Sequence, residues 1–97
     1  LLNEGDRTEI EVKNVRNWGK RMKNGERKFE VYDEKDNCYL YYAKGDTKLL
    51  DFSEKEINDS DTKAKFSCTV EYVKDFGNVV TEYYDYVVSN PRLKFVD

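Results

Sequence analysis

Histidine is absent from this 97-residue chain, which has only two cysteines and one proline, and no apolar run in it approaches the roughly 18 residues that span a bilayer. Each scarcity excludes something. Without imidazole there is no histidine base, no serine–histidine pair and no histidine-ligated metal. Two cysteines cannot close a tetrahedral zinc site alone, and none of the five glycines belongs to a phosphate-binding loop motif. Carboxylate pairs for glycoside-type hydrolysis are conceivable, but 20 acidic residues give too many pairs to select one. Asp33, Glu34 and Asp36 lack the spaced ligands, mid-loop glycine and terminal glutamate of a calcium loop. They read as a solvated acidic turn. The expectation is a non-enzyme with no cofactor and no metal.

What remains suits one small domain, since a core rarely splits below about 200 residues. Apolar and charged residues each make up 38% of the chain, so the core is thin. Eight Tyr and five Phe compensate, because a ring buries roughly 150–250 Å² while a phenol keeps its polar tip in water. Cys38 and Cys68 each open a Tyr- and Val-rich run. A bridge between them would add about 3–4 kcal/mol in the chain-entropy model and would place the protein in an oxidising compartment. The alternative is two reduced, buried thiols. A start at Leu1-Leu2-Asn3-Glu4 suits a mature or excised fragment, and Asn58-Asp59-Ser60 is an acceptor triplet for glycosylation at Asn58. Both agree with export.

Strand signals dominate the pattern. Thr8-Glu9-Ile10-Glu11-Val12-Lys13 alternates strictly, as a half-buried strand does. Phe29-Glu30-Val31-Tyr32 repeats this after the Asn24-Gly25 turn signal, and Cys38-Tyr39-Leu40-Tyr41-Tyr42 follows an acidic connection. Lys44-Gly45-Asp46 turns the chain into Leu49-Leu50-Asp51-Phe52, and the capping-box spacing of Ser53 and Glu56 predicts a short helical turn over 54–58. Phe66, Cys68, Val70 and Tyr72 alternate with Ser67, Thr69, Glu71 and Val73, and a turn at 75–78 leads into a second run over 79–88, which makes a hairpin. Asn90-Pro91 ends that run and Leu93-Lys94-Phe95-Val96 supplies a last strand. The expected fold is all-β: a small antiparallel sandwich or barrel of six or seven strands with one disulfide and at most one short helix. Residues 1–97 form one unit, in which 1–37 is read as an extension packed on a 38–97 core.

Charge points to one candidate surface. Residues 13–28 hold Lys13, Arg16, Lys20, Arg21, Lys23, Arg27 and Lys28 against Glu26 alone, a local balance of +6 in a chain of net charge −3. Trp18, the one tryptophan, lies among them. Cations beside an aromatic suit a nucleic acid or glycan, so Arg16, Trp18, Lys20, Arg21 and Lys23 are candidate polyanion contacts. The other reading is a connection whose Trp tucks into the core. Tyrosines form a second candidate. Alternation prevents Tyr39, Tyr41 and Tyr83 from all facing inward together with their neighbours, and Tyr is favoured at binding hot spots. Tyr is also a good strand former that pairs across sheets.

The run Asn37-Cys38-Tyr39-Leu40-Tyr41-Tyr42, the Gly45-Asp46 turn after it, and a second cysteine following Lys65-Phe66 resemble the two-cysteine pattern of small secreted fungal effectors of the MAX (ToxB-like) group. The resemblance implies that Cys38, on a first strand, bonds Cys68 and ties two sheets into a sandwich. It further implies a host-targeting binding protein without catalytic activity. The combined expectation is a secreted, non-catalytic module that binds a protein partner through exposed sheet edges at 8–13 and 92–96, with Lys94 and neighbouring Tyr at the contact. A structural or adhesive domain of a larger extracellular protein and a polyanion binder using 13–28 are the alternatives.

Overall fold

The computed structural model describes residues 2–20, 25–44, 48–52, 63–74 and 84–96. They form β1 (Arg7–Lys20), β2 (Arg27–Asp33), β3 (Cys38–Ala43), β4 (Lys63–Val73) and β5 (Tyr86–Val96), with residues 48–52 helical. A single sheet closes on itself in the order β1-β2-β3-β5-β4, and β4 returns to β1. All neighbours are antiparallel except β3 and β5, which run parallel over Tyr39↔Tyr86 and Leu40↔Val87.

Alternation explains the barrel wall. On β4, Ala64, Phe66, Cys68 and Val70 are buried while Lys63, Lys65 and Glu71 are exposed, as a strand with one face inward requires. Phe29, Val31, Tyr39, Val88 and Leu93 meet them from the other strands. Leu49 and Phe52 of the helical residues are each 1% exposed and join the same core, where Phe52 stacks on Phe95 with centroids 6.2 Å apart. Spacing by three puts both on one helical face. The Leu49–Phe52 run, which belongs to the β-rich pattern in sequence, is therefore helical. The turn expected over 54–58 lies outside the described residues.

Among the described residues there are five strands where six or seven are expected for the whole chain: Leu49–Phe52 is helical, and the residues on either side of Asn90-Pro91 form one strand. The basic stretch after Lys13 is not a connection: β1 continues through it to Lys20, with a register shift between Val12 and Asn14 that keeps both Val12 and Val15 buried. Asn90-Pro91 likewise does not end a strand. Register slips between Ser67↔Arg92 and Thr69↔Ser89, and Asn90 takes φ 48°, so the proline with no N–H sits in an irregularity of one continuous β5. Residues 1–37, read above as an extension, include β1 and β2, two of the five barrel strands.

Closure does not remove the sheet edges expected at 8–13 and 92–96. Among the described residues, 7–11 pair with β4 alone, Val12 onward with β2 alone, and 92–96 with β4 alone, since β3 meets β5 only at Tyr86 and Val87. The disulfide, by contrast, is a correction. Cys68 points into the core, whereas Cys38 shares the outer face of β3 with Leu40 and contacts Glu30, and β5 separates β3 from β4. The two sulfurs are not at disulfide distance, and both cysteines are buried and unbridged. Burial pushes the Cys68 thiol up to about 11, and burial together with the Glu30 carboxylate pushes Cys38 up to about 12. Neither is an activated nucleophile, and the argument for an oxidising compartment loses its bridge.

Candidate functional site

Asn17-Trp18-Gly19 builds the most distinctive surface of the barrel. The Asn17 side-chain oxygen accepts the Gly19 N–H at 2.9 Å, and Gly19 takes φ 78°, a conformation that other residues adopt only with strain. Register shifts at this point, between Asn17↔Phe29 and Lys20↔Arg27. Such an irregularity re-aims a side chain. Here Trp18 is turned onto the outer face of β1–β2, 56% exposed.

Glu30 fixes the indole. It follows Phe29 on β2 and faces outward, yet is 4% exposed. Its Oε1 accepts the Trp18 indole N–H, and its Oε2 accepts the Tyr32 hydroxyl at 3.1 Å and the Cys38 thiol at 3.5 Å. A buried carboxylate this well supplied with donors does not leave its lone pairs idle. Burial, then the Cys38 and Glu30 groups around it, hold the Tyr32 phenol well above its ordinary value. Arg16, directly opposite Glu30 in register, sets its guanidinium carbon 5.2 Å from the Trp18 ring centroid, and Lys28 sets its ammonium 5.8 Å away. Both are within cation–π range. The result is a flat, half-exposed aromatic whose edge is anchored and which two cations flank.

A second polar cluster closes the β2–β3 turn. The Asp33 carboxylate accepts the backbone N–H of Lys35 and Asn37, the Asn37 amide at 3.0 Å and the Tyr39 hydroxyl at 3.0 Å. Burial alone would raise the Asp33 pKa. Its hydrogen bonds, led by Asn37, outweigh that and hold it below the ordinary carboxylate value. Asp36, at φ 63°, pairs with Lys13 at 2.7 Å. The acidic turn is thus a tied turn.

Sequence-derived candidates fare unequally. Arg16 and Trp18 come together, joined by Lys28, which the pattern did not single out. Lys20's side chain, Arg21 and Lys23 lie outside the described residues, as do Tyr83 and Asn58. Tyr39 is no contact residue: it is 3% exposed, stacks on Tyr86 at 5.2 Å and spends its hydroxyl on Asp33. Tyr41 is partly buried against the core. Lys94 is exposed on the outer face of β5, opposite Lys65. Glu30 was legible only as one polar residue in an alternating strand, since its burial depends on what lies across the outer face.

Among the described residues no group of three or more His, Cys, Asp or Glu could hold a metal, and no helix is long and apolar enough to cross a membrane. Comparison with known protein families, curated proteins and solved structures found no match.

Proposed function

We propose that this chain is a non-catalytic binding module that takes a single-stranded nucleic acid on the Trp18 platform. The observation that carries the reading is the exposed indole, held at its edge by Glu30 and flanked by Arg16 and Lys28. Bases stack on exposed aromatics whatever their sequence, and nearby cations neutralise the phosphates between them. Fixing the ring beforehand lowers the entropy that binding costs. The strand order β1-β2-β3-β5-β4 supports the reading by analogy of fold. It is the order of the OB-fold, a five-stranded Greek-key barrel whose β2–β3 face and adjoining loops take oligonucleotides and oligosaccharides. A protein partner that adds a strand beside 7–11 or 92–96, each paired on one side only among the described residues, is the second reading.

With one tryptophan in the chain, the site reports on itself. Titration with oligo-dT should quench Trp18 emission and weaken steeply between 50 and 200 mM salt. Trp18→Ala, followed by anisotropy of a labelled oligonucleotide, should lose about 1–3 kcal/mol, or roughly 5- to 150-fold in affinity. Heparin is the control. Equal binding of heparin and oligo-dT that Trp18→Ala leaves unchanged would reduce the site to undirected charge and reject the proposal.

A further inference from the structure

The outer face of β4–β5 carries a charge arrangement that folding alone disfavours. Lys65 and Lys94 stand directly opposite each other in register, both exposed, with Lys63 and Arg92 two residues away on the same face. Like charges directly opposed across strands are destabilising. Glu11 stands on the other side of Lys65, and Glu9 accepts the Ser67 hydroxyl at 3.1 Å. Even so, no ion pair among the described residues involves Lys63, Lys65, Arg92 or Lys94. Beyond β5, exposed Lys48 joins Arg92 and Lys94 around a groove of about 520 Å³ whose acidic lining residue is Glu9. Five cations, Lys48, Lys63, Lys65, Arg92 and Lys94, therefore face two carboxylates, Glu9 and Glu11.

We infer that this face is a second backbone-binding track, on which Lys65, Arg92 and Lys94 hold phosphates of the strand that stacks on Trp18. The inference rests on the nucleic-acid reading above. Alternate residues of a strand recur about every 6.7 Å, so Arg92 and Lys94 present charge at regular intervals along β5, as a run of phosphates requires. Trp18 lies on the outer face of β1–β2, away from this track. The two surfaces belong to different strand pairs, so a short ligand seated on Trp18 engages the track less than a long strand does. A longer strand gains the second contact as an intramolecular event, and its affinity rises with length.

Oligo-dT of about 5 and about 20 nucleotides, chosen to bracket the site size of one such domain, separates the two surfaces. Lys65→Gln/Lys94→Gln should bind the short oligonucleotide as wild type does and the long one more weakly. Its salt slope for the long one should fall by about 1.4, so the wild-type advantage narrows about sevenfold between 50 and 200 mM salt. Wild-type binding of the long strand by this variant, with Trp18→Ala still impaired on both lengths, would overturn the second track and leave the Trp18 site standing. Equal weakening on both lengths would also overturn it, as a diffuse charge effect. If Trp18→Ala changes neither length, the underlying reading fails instead. A readout independent of ligand is Lys94→Glu, which should raise Tm by about 2–4 °C by pairing with Lys65. An unchanged or lower Tm would remove the argument from opposed charge.

Discussion

Phe29, Glu30 and Val31 follow one another on β2 and are all buried, at 0%, 4% and 0% exposure, yet two different chemistries bury them. Phe29 and Val31 face the barrel interior among Phe66, Val70 and Val88, where volume and apolar surface suffice. Glu30 faces outward into a network in which each oxygen needs a donor, and Trp18, Tyr32 and Cys38 supply them. Among the described residues no buried side-chain polar atom lacks a partner. The inner face makes the barrel stable. The outer face orients one exposed ring, and that orientation, rather than stability, is what a polar network adds over an apolar patch.

Truncation on the two faces gives the largest test of this contrast. Phe29→Ala should destabilise by about 3–5 kcal/mol through the cavity it leaves, read as a lower urea midpoint, while folded protein keeps the wild-type Trp18 emission. Glu30→Ala should cost less, about 1–3 kcal/mol, by leaving the indole and phenol donors without an acceptor. It should also change the emission maximum and the quencher accessibility of Trp18. An unaltered Trp18 environment in folded Glu30→Ala would break the comparison, because the outer network would then not position the ring.

The cysteines sharpen the same contrast at smaller amplitude. Cys68→Ser places a hydroxyl in an apolar core and should cost about 1–3 kcal/mol. Cys38→Ser keeps a donor aimed at Glu30 and should cost about 1 kcal/mol or less. Both thiols should alkylate only on unfolding, and a reductant should leave Tm unchanged. A lower Tm in reductant would mean that a bridge exists and that one of the two faces has been misassigned.

The smallest effect belongs to the tied turn. Asp33 has a folded pKa below its unfolded one, so the stability it contributes is fully present above the unfolded value and is lost as pH falls through the folded value. Asp33→Asn should therefore be less stable than wild type at neutral pH by about 1 kcal/mol. The gap should close as the pH drops below the ordinary carboxylate range. A gap that persists in acid would trace the loss to geometry and not to the charge.

What the sequence determined by itself was local. Period-2 alternation marked β2, β3 and β4, because a strand half in and half out of a core must alternate. The absence of histidine removed whole classes of chemistry whatever the fold. Arg16 and Trp18 met because they are two residues apart on one strand face, so contiguity was enough to suggest their surface. Tertiary structure decided the rest. Alternation distinguishes two faces but does not say what each one meets: register and closure put Cys38 outside and Cys68 inside and buried Tyr39 against Tyr86. Closure also set Lys65 against Lys94 across 29 positions of chain and gave Glu30 its burial. Those juxtapositions are free energies of pairing between distant segments, and no local pattern of residues contains them.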